Sequence, residues 1–449
     1  MKRRAAFLFL FSLLFFSSCA ISLFKQKVFS YPQGVVFPVE KSEEVVYQGR
    51  IVDFIQKSNG FVYFSSRKGL VYCIDGVMRK IVWRYETSSP VNRPPHLGAG
   101  RVYACDEENH IYCLDGKGKL LWRIEVNENI TSEVKENQGK IYFGTSGGEF
   151  IALDSLDGKE VWRFKAGGTV EAGPVFWNSR ILFKSNDGKF YFFNQRGELL
   201  DTFDVRDSID ASPLLDGNFL YFGSHDHFFY CLDLTKKKIK WRLKTGGKVT
   251  SPPVSDEKRV YFTCADNVLY SLHKKNGSLL WWQALPSKAR FKLEIIDGKI
   301  AATSLSPLVV CFDTRKGEKQ GEFDAGKEIR SNPLWLDPFL LVTTYDSQEE
   351  SGRLLFLKKT VSAALTPSRE SPIQFGEDVT FTVSVTGFFH PQYEFYLKTG
   401  ERVEIVQKLS PKNSWNWFPE KDGAYSVGVR AVDEKEEAVA EILFIVEKK

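Results

Sequence analysis

One phrase returns along this chain at a fixed step, and that register limits the fold more than any other feature. The phrase is a Gly or Asn turn, an apolar run, a polar turn, Tyr-x-Leu-Asp, a Gly-Lys turn and Trp-Arg. Its closing aspartate falls at Asp75, Asp115, Asp154, Asp233 and Asp313, with Asn194 and His273 in the gaps, so each step is 39 or 40 residues. Tryptophan keeps the same step at Trp83, Trp122, Trp162, Trp241 and Trp281; Asp201 and Gly321 interrupt it, yet Phe203 and Phe323 keep an aromatic two positions on. Self-similarity at this period marks a stacked repeat array.

Each unit holds four short alternating runs, as in Val170 to Phe176, Ile181 to Lys184, Phe190 to Asn194 and Leu199 to Phe203. Alternation of period two predicts four antiparallel strands per unit. One four-stranded sheet cannot bury both faces, so units must stack, and a ring of sheets is the propeller solution. The last repeat, Phe339 to Lys358, ends on Leu354-Leu355-Phe356-Leu357 without a Trp-Arg strand, and Gly34-Val35-Val36-Phe37-Pro38-Val39 is apolar enough to supply one. Such a closure hides two sheet edges, and Pro38 suits an outermost strand. The expected fold is therefore all-β: an eight-bladed β-propeller over 34–359, with seven blades as the alternative.

Composition agrees with that class. Aromatic residues reach 14%, with 37 Phe, 17 Tyr and 10 Trp, in short β-favouring runs. The 61 Lys and Arg against 56 Asp and Glu leave a net charge of only +5, spread along the chain, which argues against nucleic acid as a partner. Lys2, Arg3 and Arg4 precede an uncharged apolar run, Ala5 to Phe16, and Ser17-Ser18-Cys19 closes it, the pattern of an export signal over 1–19. That run is short of the ~20 residues a spanning helix needs. Cleavage and transfer of Cys19 to lipid is expected, with 20–33 as a tether. The end of the signal resembles a bacterial lipobox, with Phe16 where that motif usually has Leu. Cys73, Cys113, Cys231 and Cys311 share one repeat position that Ala152 and Ser271 fill elsewhere, so a small buried side chain is what the position requires.

The phrases Gly139-Lys140-Ile141-Tyr142-Phe143-Gly144, Phe150-Ile151-Ala152-Leu153-Asp154 and Gly158-Lys159-Glu160-Val161-Trp162-Arg163 closely resemble the PQQ-like (pyrroloquinoline-quinone) repeat. The resemblance covers roughly residues 45 to 358. It implies a propeller similar to the lipoprotein subunit of the bacterial outer-membrane β-barrel assembly machinery, at the periplasmic face of the outer membrane, and it does not imply the quinone cofactor.

After Lys359 the register stops. Residues 360–372, with Thr366-Pro367-Ser368 and Ser371-Pro372, read as a linker, and 373–449 as an immunoglobulin-like β-sandwich with strands at Val379 to Val385, Tyr393 to Leu397 and Gly423 to Ala431. Trp415, Trp417, Tyr393, Tyr396 and Phe418 are either its core or an aromatic ligand platform.

A search for chemistry favours architecture over catalysis. One aspartate per blade at a strand end is spread around the ring, whereas paired carboxylates must converge, so turn capping is the expected role. His225-Asp226-His227 is the one dense histidine set, and metal binding there lacks further ligands. No catalytic, cofactor-binding or metal-binding residue is assigned, and no cofactor is expected. The innermost strands carry Pro94-Pro95, Gly173-Pro174, Ser212-Pro213, Pro252-Pro253 and Asn332-Pro333, and Arg93, Lys248, Lys288, Arg290 and Arg330 flank several of them, either as a basic channel rim that could receive an acidic loop of a partner or as plain architecture. The expected function is a non-enzymatic, monomeric protein–protein scaffold anchored through Cys19, its partner an envelope protein, the barrel assembly machinery by resemblance. The alternatives are a quinone- or carbohydrate-binding, dehydrogenase-like propeller and an envelope adhesion or sensor protein.

Overall fold

The computed structural model describes residues 39–448 except 53, 206–210, 290, 297, 360–361, 387–390 and 434–435. The export signal 1–19 with Cys19, the tether 20–33, Gly34 to Pro38 and Arg290 therefore lie outside the described residues. Every regular element among the described residues is a strand.

Eight four-stranded antiparallel sheets follow one another along the chain. The first blade is Gln56–Ser58, Phe61–Ser66, Leu70–Asp75 and Lys80–Glu86, and six more repeat its order. Within a blade the burial follows position: the second and third strands are buried almost throughout, while the fourth alternates towards solvent. One buried apolar cluster lies at each of the eight junctions between neighbouring sheets. Between the first and second blades, Tyr63, Val71 and Cys73 meet Val102, Ala104 and Leu114. Between the eighth and the first, Leu341, Leu354 and Phe356 meet Val62, Phe64 and Tyr72, and that cluster closes the ring.

The closing strand is Val39–Gln48, which takes up the whole of Ser351–Lys359 in antiparallel pairing and shares only Val39 with the expected Gly34 to Val39. An outermost strand buries one face only, so alternation suits it better than a continuous apolar run. Val45 and Tyr47 point into the core and Val46 between them is exposed. The inner strands are also shorter than the sequence suggests: of Val170 to Phe176, only Val175–Trp177 is strand, and the preceding residues cross between blades with Val170 fully buried.

The recurring tryptophan and glycine hold neighbouring blades together. Trp83, Trp122, Trp241 and Trp281 each donate Nε1–H to a backbone carbonyl 33 residues on, at Gly116, Ser155, Lys274 and Thr314, over 3.0–3.1 Å. The indole lies flat against a glycine of the next blade's last hairpin. A Cβ on Gly118, Gly158, Gly197, Gly277 or Gly317 would stand 2.5–3.0 Å from the ring, and all five have φ between +71° and +84°. Glycine is required there twice over, for the backbone conformation and for the close approach.

Where tryptophan is missing, the partner glycine is missing too. Asp201 replaces it on the fourth blade, and Lys237, with φ of 47°, stands at the glycine position of the fifth; the two form an ion pair. Between the eighth and first blades Glu43 pairs with Arg79, φ 53°, at 2.9 Å. The seventh blade has Gly321 in the tryptophan place, and a cleft of about 520 Å³ opens against the eighth blade between Phe323, Lys327, Asp346 and Arg353. A second cleft, about 350 Å³, lies at the Asp201 junction beside Val205, Tyr230, Ile239 and Trp241.

Beyond the ring, a three-stranded and a five-stranded sheet share one core around Phe381, Phe395, Trp417, Val427 and Phe444. The stretch 360–372 is not purely a linker, because Ser362–Pro367 pairs with Val379–Thr386. Leu365 anchors that strand in the core. Tyr393 and Trp417 are core residues and Trp415 packs on them, whereas Phe418 is exposed and Tyr396 lies across Gly428 on the outer face. The five aromatics form no common platform.

Candidate functional site

The ring has two chemically different faces. On one lie the hairpins between first and second and between third and fourth strands, and the latter carry the repeat aspartates. Asp75, Asp115, Asp154 and Asp313 accept the amide two residues on at 2.7–2.8 Å, Asp233 does so at 3.0 Å, and Asn194 and His273 do the same in their blades. These carboxylates are turn caps, as their spacing around the ring predicts.

On the other face the chain crosses from each fourth strand to the next blade's first strand. Among the described residues, six crossings are clamped to the hairpin between the second and third strands by a backbone bond, such as Glu107 N to Pro90 O, Ser146 N to Asn129 O and Ala265 N to Lys248 O at 2.8–2.9 Å. A second aspartate series, unread in the sequence, organises these hairpins. Asp106, Asp187, Asp226 and Asp266 take the amide two residues on with one oxygen and a tyrosine hydroxyl, of Tyr112, Tyr191, Tyr230 and Tyr270, with the other. Burial together with the facing carboxylate pushes Tyr191 and Tyr230 up to about 12. The sequence signal was an Asp four residues before a Tyr in three blades, broken by the longer spacing of Asp106 and Tyr112 in the second.

Asp106, Glu108 and His110 bring one potential ligand atom each within 4.8 Å of the others. Their bonds are already committed. His110 Nδ1 lies 3.0 Å from Asp106, its Nε2 lies 2.8 Å from the Arg123 guanidinium, and Tyr112 donates to Asp106 at 2.8 Å. Arginine can only donate, so His110 accepts at Nε2 and donates from Nδ1. A cation would face a guanidinium, and the cluster is a hydrogen-bonded brace. In the His225-Asp226-His227 set, Asp226 is spent on Phe228 N and Tyr230, and His227 is exposed with φ of 66°.

Arg93, Lys248, Lys288 and Arg330, expected at the channel rim, belong to these crossings, but at three different repeat positions. Lys248 and Lys288 are exposed. Arg93 donates to Ile130 O at 3.2 Å and Arg330 pairs with Glu328 at 2.7 Å, so both are drawn into the ring's own structure. Arg290 lies outside the described residues. The charges of the face are mixed: Glu107 and Glu108 are exposed on the second blade and Lys248 and Lys288 on the crossings into the sixth and seventh, while Lys327 pairs with Asp346 at 2.9 Å beside exposed Glu349 and Glu350 of the eighth.

Inside, short half-exposed strands tie blade to blade. Glu136 N donates to His96 Nε2 at 2.8 Å, and burial with the nearby Lys135 lowers the imidazole to about 4. Trp335 N donates to Glu294 at 3.0 Å, where burial raises the carboxyl. The six described cysteines are free and buried. Burial pushes Cys73, Cys113 and Cys231 up to about 11 and Cys105 and Cys311 to about 12, far from the reactive thiolate.

Comparison with known proteins fits this geometry. The family profile described as "Outer membrane protein assembly factor BamB" matches residues 48–128, 107–200 and 194–293, together more than half the chain. Outer membrane protein assembly factor BamB of Yersinia pestis is 23% identical over 252 residues, 50% of this chain and 64% of that protein. Quinohemoprotein alcohol dehydrogenase ADH-IIG of Pseudomonas putida is 26% identical over 130 residues, 24% of this chain and 18% of that enzyme. The chain spans less than two thirds of the length of the curated relatives it matches first. The crystal structure of BamB from Moraxella catarrhalis superposes with a TM-score of 0.60 at 16% identity, over 71% of this chain and 99% of that one. With eight repeats closed into a ring and that profile over its blades, the chain belongs to the PQQ-like β-propeller family of outer membrane protein assembly factor BamB.

Proposed function

We propose that the protein is a non-enzymatic docking scaffold, exported and held by lipid on Cys19 at the periplasmic face of the outer membrane, where it serves outer-membrane protein assembly. The exposed Lys248 and Lys288 on neighbouring crossings of this face carry the reading. Exposed ammonium groups side by side attract an acidic segment of a partner, and such charge speeds encounter and fixes register. The kinship with BamB supports an assembly partner; the clamped crossings support a rigid docking platform. Pull-down of envelope proteins by the intact chain and by a Lys248→Glu, Lys288→Glu variant tests it. Loss of one dominant partner in the variant is the expected result, and an unchanged partner set rejects the face.

The match to quinohemoprotein alcohol dehydrogenase favours one competing reading, a quinone-binding propeller. A visible spectrum of the protein with added quinone and calcium separates the two. A bound chromophore with dye-linked turnover would exclude the scaffold.

A further inference from the structure

We propose that the outer rim of the first four blades, on the side of the aspartate-capped turns, docks onto an anionic phospholipid surface. The proposal rests on the membrane-tethered reading above and adds a second contact to it. The outermost strand of each of the first seven blades carries a β-bulge at the same place. In the first blade Cys73 faces Trp83 and Ile74 faces Ile81, which leaves Val82 extra and turned outward. The extra residue is Val82, Leu121, Val161 and Leu200 on the first four blades, 46–51% exposed, but Lys240 on the fifth and Gln320 on the seventh, with Leu280 between them. Ile81, Leu120 and Leu199 beside the bulges, with Met78 and Leu156 in the adjoining turns, are exposed as well, and so is Leu279 on the sixth blade, isolated between Lys240 and Gln320. Single exposed aliphatic side chains need no explanation, but their recurrence at one bulge position on four successive blades does.

Two observations select the occupant. Lys80, Lys117 and Lys119 are exposed among the aliphatic groups of the first two blades, where the turn aspartates Asp75 and Asp115 are spent on backbone amides; Glu160, paired with Arg163, and Glu198 are exposed acids of the next two. Aliphatic side chains interleaved with lysine are the composition that settles at the headgroup boundary of anionic lipid. The chain also reaches the ring on this side. Val39 faces Lys359, at the end of its strand away from the crossing at Gly49, in the blade next to the first.

Hydrogen exchange of the acylated full chain on phosphatidylethanolamine vesicles, with and without phosphatidylglycerol, tests the proposal. Amides of 77–82 and 117–121 should be protected on the anionic vesicles, and those of 237–240 and 317–320 unchanged. Lys117→Gln and Lys119→Gln should each cut the protection about fivefold. Equal behaviour of the first and fifth blades overturns the proposal, as does protection that survives Leu120→Asp with Leu121→Asp, exposed sites where the fold tolerates charge. Protection that appears only with added envelope proteins assigns the rim to a protein partner and overturns it too. Flotation reads the tether separately: a chain that floats without rim protection overturns the rim alone, and one that neither floats nor gains protection overturns both.

Discussion

Five of the eight blade junctions are held by tryptophan on glycine, and three are not. At the first kind a broad indole packs against backbone and, at four of the five, donates one hydrogen bond; at the second an ion pair spans the gap or a cleft remains. The paired loss is instructive. Once Asp201 removes the indole, nothing holds position 237 to glycine, and Lys237 both tolerates its φ of 47° and neutralises the aspartate. Repeat proteins are sums of units and nearest-neighbour interfaces, so a junction can change its chemistry locally without loss of the ring.

The largest expected effect comes from breaking a tryptophan junction. Trp281→Ala should cost about 3 kcal/mol in urea unfolding, because it removes a buried indole and leaves a cavity. Asp201→Ala should cost at most about 1 kcal/mol, since its partner Lys237 is well exposed to solvent. Equal losses at the two sites would end the distinction.

The second-to-third junction has an inner tie that pH should cut. With His96 near 4 in the folded chain and 6.5 as its ordinary value, the unfolded chain takes up the proton first as pH falls. This contribution is complete above 6.5, is lost progressively as pH falls towards 4, and amounts to about 3 kcal/mol. Urea titrations of the intact chain and of His96→Gln, which keeps a side-chain acceptor, should differ in slope across that window. Parallel curves would assign the acid loss to other groups.

Smaller again is the glycine half of the interaction. Gly277→Ala meets both a positive φ and the Trp241 ring and should cost about 2 kcal/mol, against about 1 kcal/mol for Gly60→Ala, where φ is +82° and no atom lies within 4 Å of the new Cβ. The difference isolates the close approach from the backbone strain. Smallest is the exchange of one junction type for the other. Asp201→Trp and Lys237→Gly, each neutral or unfavourable alone, should together exceed the sum of the single changes by about 1 kcal/mol in a double-mutant cycle. Strict additivity would mean that the two positions do not form one device.

Much of this was legible in the residues. The period, the four strands per unit and the capping role of Asp75 and its equivalents follow from spacing alone, because each concerns groups a few residues apart. Ring closure was legible in kind but misplaced in position. An apolar run looks like the better strand, yet an outermost strand rewards alternation, and Val39–Gln48 has it. The basic rim was read as one group because Arg93, Lys248, Lys288 and Arg330 sit in similar phrases. Their partners, Ile130 O and Glu328 among them, belong to neighbouring turns and crossings that the repeat pattern does not single out. The Asp and Tyr pairs of the crossover hairpins escaped notice because the second blade lengthens the spacing that marks the others.

Periodicity by itself determined that this chain stacks four-stranded units and must close on itself, since each unit exposes a face that only a neighbour can cover. Tertiary structure alone decided which junctions lock by an indole and which by charge, and which side chains are left outside at the bulges. Those outcomes depend on groups about 33 residues apart meeting across a gap, and on the direction an unpaired residue takes, neither of which a strand pattern specifies.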